Sequence, residues 1–283
     1  MTLRTFERTL SLGYSPCPND TFIFYALVHG QINGRGLTFR ETLLDVETLN
    51  QKALNSDLDI TKVSFHAYGF LRENYRLLGA GGAMGRGCGP LVVANKGLSM
   101  DDLRGKKIAI PGRLTTAHLL LELYDPALAG NEVAMPFDRI MEAVREGSVD
   151  AGLIIHESRF TYRGYGLSEV IDLGSWWEQE TGLPIPLGCI IAREALGKEL
   201  SDIVEELVRT SIEYALKHSE QTKGYIRAHS QEMRDEVVEE HIRLYVNDYS
   251  LEWGDDGMSA IEELLRRAEA RGIIPKGGSA TLR

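Results

Sequence analysis

The sequence has few cysteines, no long apolar segment and no excess of positive charge. Its three cysteines, Cys17, Cys88 and Cys189, lie far apart and form no C-x-x-C pair. This pattern excludes a disulfide framework and a cysteine-ligated zinc site, and it predicts small buried residues instead. No stretch approaches the roughly 20 apolar residues that span a bilayer, and the N-terminal MTLRTFERTLSLGYS lacks a signal-peptide core. We therefore expect the protein to stay in the cytoplasm.

The charge balance is acidic, with 31 Lys and Arg residues against 41 Asp and Glu residues and a net charge of -10. Such a chain has no general attraction to nucleic acid or to an anionic membrane, so an anionic ligand needs a local site. The 283 residues, 43% hydrophobic and 25% charged, are typical of one large or two moderate folded domains.

Several catalytic and cofactor motifs are also missing. The glycine-rich segment 79–89 matches neither G-x-G-x-x-G nor the phosphate-binding loop, so its glycines more simply allow a bulge or a close backbone approach. The sequence offers no Ser/His/Asp order, no paired-carboxylate motif and no metal cluster. If the protein is an enzyme, we expect general acid/base catalysis with neither a metal nor an organic cofactor.

Hydrophobic periodicity predicts alternating strands and helices in the first third of the chain. The predicted strands lie near 9–14, 37–44, 58–62, 76–83 and 90–94, and the predicted helices near 20–30, 46–55 and 64–72. The same alternation restarts after Lys96 with KKIAIPG, TTAHLLLELY, NEVAMP, FDRIMEAVREG and VDAGLIIHE, and residues 200–271 are almost wholly helical. This order predicts an α/β protein with two similar units.

Two α/β units joined by extended crossings resemble the type II periplasmic-binding-protein architecture, which holds its ligand in an interdomain cleft. We predict a larger discontinuous domain of residues 1–94 and 188–283, with a smaller domain of residues 95–187 inserted into it. Ligands of such sheets bind at the carboxyl ends of strands, so the turns that leave the strands are the candidate sites.

The first such turn, SPCPNDTF at 15–22, contains two prolines that fix the backbone between a strand and a helix. Asn19 or Asp20 is a candidate cap for that helix. In PGRLTTA at 111–117, Thr115 or Thr116 begins a helix, either as a simple N-cap or as part of an anion site. Ser64 in VSFHA presents the same two alternatives.

His156 is the histidine that follows directly after an apolar strand, GLII, where an imidazole would emerge at the ligand-binding edge. There it is either a proton-transfer group or a hydrogen-bonded structural histidine. His66, at a predicted helix start, is the second candidate. Arg86 is either a bidentate partner for a carboxylate or a surface arginine.

SPCPNDTF, GRGCGP, PGRLTTA and GLIIHE occur in this order along nearly the whole chain. Together they resemble the MqnD family, the 1,4-dihydroxy-6-naphthoate synthases of the futalosine route to menaquinone. The resemblance implies a periplasmic-binding-protein fold converted into a carbon-carbon lyase that acts on cyclic dehypoxanthine futalosine.

The resemblance also implies roles for single residues. His156 matches the family's catalytic base, which removes a substrate proton so that a carbon-carbon bond breaks and the product becomes aromatic. The matched pocket includes Asn50, Ser64, Thr116 and Ala117, and SPCPNDTF, with Asn19, would form one wall. The implied ligand is a small molecule that carries a carboxylate, with Arg86 as a further candidate contact.

Two other functions share this fold. A solute-binding protein normally needs export, and the expected absence of a signal sequence counts against it. A chorismate dehydratase of the same pathway is a closer alternative, against which SPCPNDTF and GLIIHE favour the synthase.

Overall fold

A computed structural model describes residues 7–231 and 234–277. Its strands are β1 (Arg8–Tyr14), β2 (Leu37–Leu43), β3 (Ile60–Ser64), β4 (Tyr75–Leu77), β5 (Ala83–Gly85), β6 (Leu91–Ala94), β7 (Ile108–Ile110), β8 (Glu132–Ala134), β9 (Ala151–Ile154), β10 (Ser168–Asp172) and β11 (Ile185–Arg193). Its α-helices are α1 (Pro18–Val28), α2 (Val46–Leu54), α3 (Phe65–Leu71), α4 (Thr116–Tyr124), α5 (Phe137–Arg145), α6 (Ser158–Thr161), α7 (Leu173–Thr181), α8 (Lys198–Lys217), α9 (Ser219–His229), α10 (Asp235–Tyr245), α11 (Asp248–Leu251) and α12 (Gly254–Ala270).

The predicted single strand near 76–83 is wrong, because the chain forms two short strands, β4 and β5, in this region. Between them the backbone leaves the sheet pattern, and the N–H of Gly81 donates to the carbonyl of Ser250 at 2.8 Å. An acceptor about 170 residues further along the chain is invisible to a local hydrophobic pattern.

The first sheet has the strand order β2-β1-β3-β11-β4, and β5 also pairs with β11. Strand β1 runs parallel to both β2 and β3, whereas β11 runs antiparallel to β3 and β4. Alternate residues of β1, Leu10, Leu12 and Tyr14, are fully buried in the core beneath this sheet. Apolar residues of α8 recur every three or four positions and pack into the same core, each contributing about 1.5–3 kcal/mol when fully buried.

The second sheet has the strand order β10-β6-β9-β7-β8. Strand β7 is parallel to β8 and β9, while β6 is antiparallel to both β9 and β10. Helix α5 buries Ile140, Met141 and Val144 in the core of this sheet. The two separate sheets with their helices confirm the predicted α/β class.

The chain divides into two compact units. Of the described residues, one unit contains 7–83, 188–231, 234–254 and 277, and the other contains 84–187 and 255–276. The predicted domains, 1–94 with 188–283 and 95–187, stay a prediction at these bounds.

Candidate functional site

The second sheet brings two of the candidate turns to one edge. Because β7 and β9 are adjacent and parallel, with Ile108 opposite Ala151, their carboxyl ends lie at the same edge of the sheet. The turn after β7 leads to Thr116 at the start of α4, and the segment after β9 carries His156. This is the edge at which α/β sheets bind ligands.

His156 adopts a left-handed backbone conformation, with φ of 55°. A non-glycine residue pays of order 1–3 kcal/mol for such a conformation, and residues of this kind cluster at functional sites. The half-buried imidazole meets the ring of Phe137 edge-on, with 5.1 Å between ring centroids and an interplanar angle of 70°. The carbonyl of His156 accepts the N–H of Arg159 at 3.3 Å. The residue is therefore held on both its backbone and its ring.

The start of α4 distinguishes the two threonines. Thr115 is the N-cap, since its Oγ1 accepts the N–H of His118 at 3.2 Å and donates to the carbonyl of Gly112 at 2.8 Å. Of the two candidate threonines, Thr115 therefore fills the capping role, and the other is a residue of the first turn.

Thr116 is the first residue of the helix and is almost fully buried. Its hydroxyl donates to the carbonyl of Leu187 at 2.5 Å. Ala117 follows, also buried, at a position where helix N–H groups have no acceptor within the helix. This is the kind of backbone that binds anions.

A partly buried cluster of His118, Glu122 and Glu132 lies beside this turn. Nδ1 of His118 donates to the carbonyl of Arg113 at 3.0 Å, and Nε2 lies 3.5 Å from Oε1 of Glu132. Burial raises the pKa of Glu122, although the nearby imidazole opposes the rise. Burial also raises the pKa of Glu132. Backbone hydrogen bonds, one of them from Gly130, and the imidazole outweigh this effect, so the pKa of Glu132 is lowered.

The first sheet contributes a second pair of candidates, Asn50 from α2 and Ser64 from the end of β3. The side-chain oxygen of Asn50 accepts the N–H of Ser64 at 2.9 Å, and the amide nitrogen lies 3.4 Å from the hydroxyl of Ser64. Both side chains are buried. The structure therefore brings these two predicted site residues into direct contact.

The SPCPNDTF turn begins α1 differently from the prediction. The expectation that Asn19 or Asp20 caps the helix is wrong, because the N-cap is Cys17 and Pro18 is the first helical residue. Asp20 instead turns back, and its Oδ2 accepts both the N–H and the hydroxyl of Ser15, at 3.2 and 2.8 Å.

Asn19 and Asp20 belong to a buried polar network. Nζ of Lys62 donates to Oδ1 of Asp20 at 2.8 Å and to the carbonyl of Gly81 at 3.3 Å. Asn19 donates to the same Asp20 oxygen at 2.9 Å and accepts from Nε2 of His241 at 3.0 Å. The two charged side chains of the ion pair are only 6% and 2% exposed. Asn19 thus links α10 to the rigid turn, and its contact with a substrate stays a prediction.

Arg86 lies on the surface, with about half of its side chain exposed. Its Nη1 donates to the carbonyl of Gly182 at 3.1 Å, and its Nη2 lies 3.9 Å from Asp256. The guanidinium is thus oriented by protein groups, and its role toward a carboxylate also stays a prediction.

The family follows from the match to known sequences. A sequence model of the family described as Menaquinone biosynthesis matches residues 10–270. This chain belongs to that family. The match covers most of the chain and shows a role in menaquinone biosynthesis.

Two known proteins are similar to this chain over nearly their full length. A Thermus thermophilus protein is 53% identical over 264 residues, which cover 93% of this chain and 95% of the relative. A Streptomyces coelicolor protein is 45% identical over 278 residues, covering 97% and 98% of the two chains. Both relatives are named 1,4-dihydroxy-6-naphtoate synthase. These names confirm the predicted resemblance and show that this chain is an enzyme of menaquinone biosynthesis.

Solved structures confirm the predicted fold. A crystal structure of an Archaeoglobus fulgidus protein is similar with a TM-score of 0.89 and 39% identity, covering 94% of this chain and 98% of that one. The alkanesulfonate-binding protein from Xanthomonas axonopodis is similar with a TM-score of 0.68 and 13% identity, covering 95% and 94%. A Candida albicans protein with the generic periplasmic binding protein fold has a TM-score of 0.67 and 12% identity, covering 96% and 92%.

Two further structural findings concern this family member. Within residues 7–231 and 234–277, no helix is long and apolar enough to cross a membrane. In the same part of the chain, no three His, Cys, Asp or Glu side chains are grouped as metal ligands.

Sequence reasoning did not single out Lys62, Glu132 or Arg159. Lys62 had a usable signal, because a lysine inside the apolar strand ITKVS is rarely buried unless it is paired. Glu132 and Arg159 gave none, because their partners lie elsewhere in the chain and only the folded structure brings them near.

Proposed function

We propose that this enzyme is a carbon-carbon lyase that converts cyclic dehypoxanthine futalosine to 1,4-dihydroxy-6-naphthoate. The observation that carries the proposal is the 53% identity, over 93% of the chain, to a relative named for this synthase. The left-handed backbone of His156 at the ligand-binding edge of the second sheet supports the assignment of the base.

In this mechanism the His156 imidazole removes a proton from a substrate carbon. The electron pair left on that carbon forms a new double bond while a neighbouring carbon-carbon bond breaks. The electron pair of the broken bond leaves with the sugar-derived fragment, which takes up a proton. The ring that remains becomes aromatic, which makes the overall step favourable. Positioned proton transfer of this kind typically contributes about 100- to 10,000-fold in rate.

The start of α4 is the proposed carboxylate site. The hydroxyl proton of Thr116 lies on the carbonyl of Leu187, so the first hydrogen bond to a bound carboxylate comes from the N–H of Ala117. Thr116 then donates to the carboxylate when its hydroxyl turns away from Leu187. Each hydrogen bond to a charged group contributes about 1.5–3 kcal/mol.

Asn50 and Ser64 are proposed to bind uncharged oxygen atoms of the same substrate. Each already has a polar partner in the other, and this mutual contact fixes both side chains before the substrate arrives. Preorganised groups of this kind lose less conformational freedom on binding.

The test is a turnover assay with purified protein. Incubation with cyclic dehypoxanthine futalosine should yield 1,4-dihydroxy-6-naphthoate by mass spectrometry, and incubation with chorismate should yield no dehydration product. The proposed proton transfer uses the His156 imidazole and no metal, so protein dialysed against EDTA should keep its turnover. Consumption of chorismate instead would favour the dehydratase alternative, and binding of the futalosine derivative without turnover would favour a binding protein.

We also propose that the enzyme works in the cytoplasm. Immunodetection after cell fractionation should find it in the cytoplasmic fraction, and recovery with exported proteins would contradict this.

A further inference from the structure

Arg159 connects the segment after His156 to the glycine-rich GRGCGP segment. Its Nη1 donates to the carbonyl of Gly89 at 3.0 Å, and its Nη2 donates to the carbonyl of Gly87 at 3.3 Å. Nη2 also forms an ion pair with Oδ2 of Asp172 at 2.5 Å. A planar guanidinium can satisfy several oxygen atoms in this way, whereas a lysine ammonium cannot copy its fixed geometry.

Of the two backbone acceptors of Arg159, Gly89 lies on tightly packed backbone, whereas Gly87 is exposed. Gly89 has a φ of 125°, a backbone conformation that residues other than glycine rarely adopt. A Cβ atom on Gly174 would lie 1.8 Å from the carbonyl oxygen of Cys88, so this segment packs directly against the start of α7. Asp172 caps that helix by accepting the N–H groups of Gly174 and Ser175 at 2.9 and 3.0 Å. The guanidinium is thus anchored to a rigid support.

The anchored arginine is in direct backbone contact with His156. The N–H of Arg159 donates to the His156 carbonyl, in the one-turn bend that follows the left-handed residue. The other non-glycine residues with positive φ in the described chain, Arg35 and Ser56, lie in turns between secondary-structure elements. A strained conformation at a histidine persists only when the surrounding structure fixes it.

We propose that Arg159 is a positioning residue that acts through His156. It fixes the backbone bend after His156, and this bend directs the imidazole. This inference rests on the proposed function, in which His156 is the base. In this proposal the GRGCGP segment is a rigid anchor for Arg159 and not a nucleotide-binding loop.

The kinetic test compares three variants of the full-length enzyme. Arg159→Lys keeps the positive charge beside Asp172 but loses the guanidinium fork, and Arg159→Gln removes the charge as well. Arg163→Gln is the control, because this exposed arginine on the same segment lies over the ring of Tyr162 and is not bonded to Gly87, Gly89 or Asp172, the described partners of Arg159. Misplacing a catalytic group by about 1 Å costs up to about 100-fold, so both Arg159 variants should lose about 30-fold in kcat with KM within about twofold.

A double variant separates positioning from a general structural effect. With His156→Asn already present, Arg159→Lys should lower the residual kcat by less than about twofold, because the group it positions is gone. Losses that multiply in the double variant would overturn the inference, as would an Arg159→Lys enzyme with wild-type kcat. If Arg159→Gln fails to fold, the Arg159→Lys results alone decide.

A measurement without substrate keeps this inference separate from the proposed function. The carbon-bound protons of the His156 imidazole, assigned by their loss in His156→Asn, should be shifted by the nearby Phe137 ring. This shift should change in Arg159→Lys and stay unchanged in Arg163→Gln. An unchanged signal in Arg159→Lys would overturn the inference. A changed signal in a protein that does not turn over the futalosine derivative would leave the positioning supported and refute the proposed function.

Discussion

The side-chain oxygen of Asn50 accepts the backbone N–H of Ser64 at 2.9 Å, and both residues are buried. The bond joins the middle of α2 to the point where β3 ends and α3 begins. It therefore fixes the strand-exit turn of the first sheet at the place where a ligand would be expected.

Asn50→Ala should lower the free energy of unfolding by about 1–3 kcal/mol, because the buried N–H of Ser64 loses its acceptor. Asn50→Asp keeps an acceptor for that N–H, so it should be more stable than Asn50→Ala while its negative charge raises KM for an anionic substrate. Gln51→Ala, at an exposed position of the same helix, is the control. Urea unfolding and steady-state kinetics measure both effects. A normal KM in a folded Asn50→Asp enzyme would exclude Asn50 from the binding site.

Thr116→Ala should raise KM about tenfold, which corresponds to about 1.4 kcal/mol of lost substrate binding. Thr116→Ser keeps the hydroxyl that donates to Leu187 and should stay within about threefold of the wild type. The measurement is KM for the futalosine derivative. Equal KM values in all three enzymes would show that the hydroxyl takes no part in binding.

The buried ion pair between Lys62 and Asp20 should dominate the stability of the SPCPNDTF turn. Lys62→Met leaves the Asp20 carboxylate buried without its cation and should cost about 3–5 kcal/mol of unfolding free energy. The matched control is Lys52→Met, which breaks the exposed pair with Asp57 at 3.5 Å and should cost at most about 1 kcal/mol.

Adding Asp20→Asn to Lys62→Met removes the orphaned charge, so the double variant should be more stable than Lys62→Met alone. Denaturant titrations of the single and double variants test this relationship. A cost for Lys62→Met as small as that for Lys52→Met would contradict the buried pair.

Glu263 on α12 should make stability depend on pH in acid. A hydrogen bond from Arg266 lowers its pKa to about 2, against the opposing effect of burial and with a further hydrogen bond from Arg267. A carboxyl group with a lowered pKa stabilises the folded state fully above its unfolded value of 4.5, and this contribution is lost as pH falls through about 2.

The difference in unfolding free energy between wild type and Glu263→Gln should therefore shrink steadily between pH 4.5 and about 2. Glu262→Gln, at the exposed neighbouring position, is the control for adding an amide to this helix. Thermal melts across this range measure the difference. A difference that stays constant down to pH 2 would show that Glu263 is not ion-paired in solution.

Local patterns predicted most of the secondary structure. The predicted helix near 46–55 is α2, and its N-cap, Asp45, accepts the N–H of Thr48 at 3.0 Å. Alternation in LTFRETLL likewise predicted β2. Both signals depend on residues within one or two turns of each other, so the sequence alone contains them.

The parts that sequence reasoning missed depend on distant partners. Asp20 does not cap the helix because its carboxylate accepts hydrogen bonds from Ser15 and Lys62, and Lys62 lies 42 residues further along the chain. The choice between Thr115 and Thr116 as cap was open, because both hydroxyls stand at the helix start and only the fold gives one of them Leu187 as its acceptor. The apolar strand before His156 predicts where this residue lies, but only the structure shows its left-handed backbone conformation.

The most direct test of the proposed chemistry is the kcat of His156→Asn with cyclic dehypoxanthine futalosine. Asparagine has a similar size and hydrogen-bonding capacity but cannot take the proton, so the variant should fold, bind substrate and lose at least about 100-fold in kcat. His29→Asn, at an exposed histidine, should keep wild-type turnover. A folded His156→Asn enzyme that retains more than about a tenth of wild-type kcat would contradict His156 as the base and direct attention to His66.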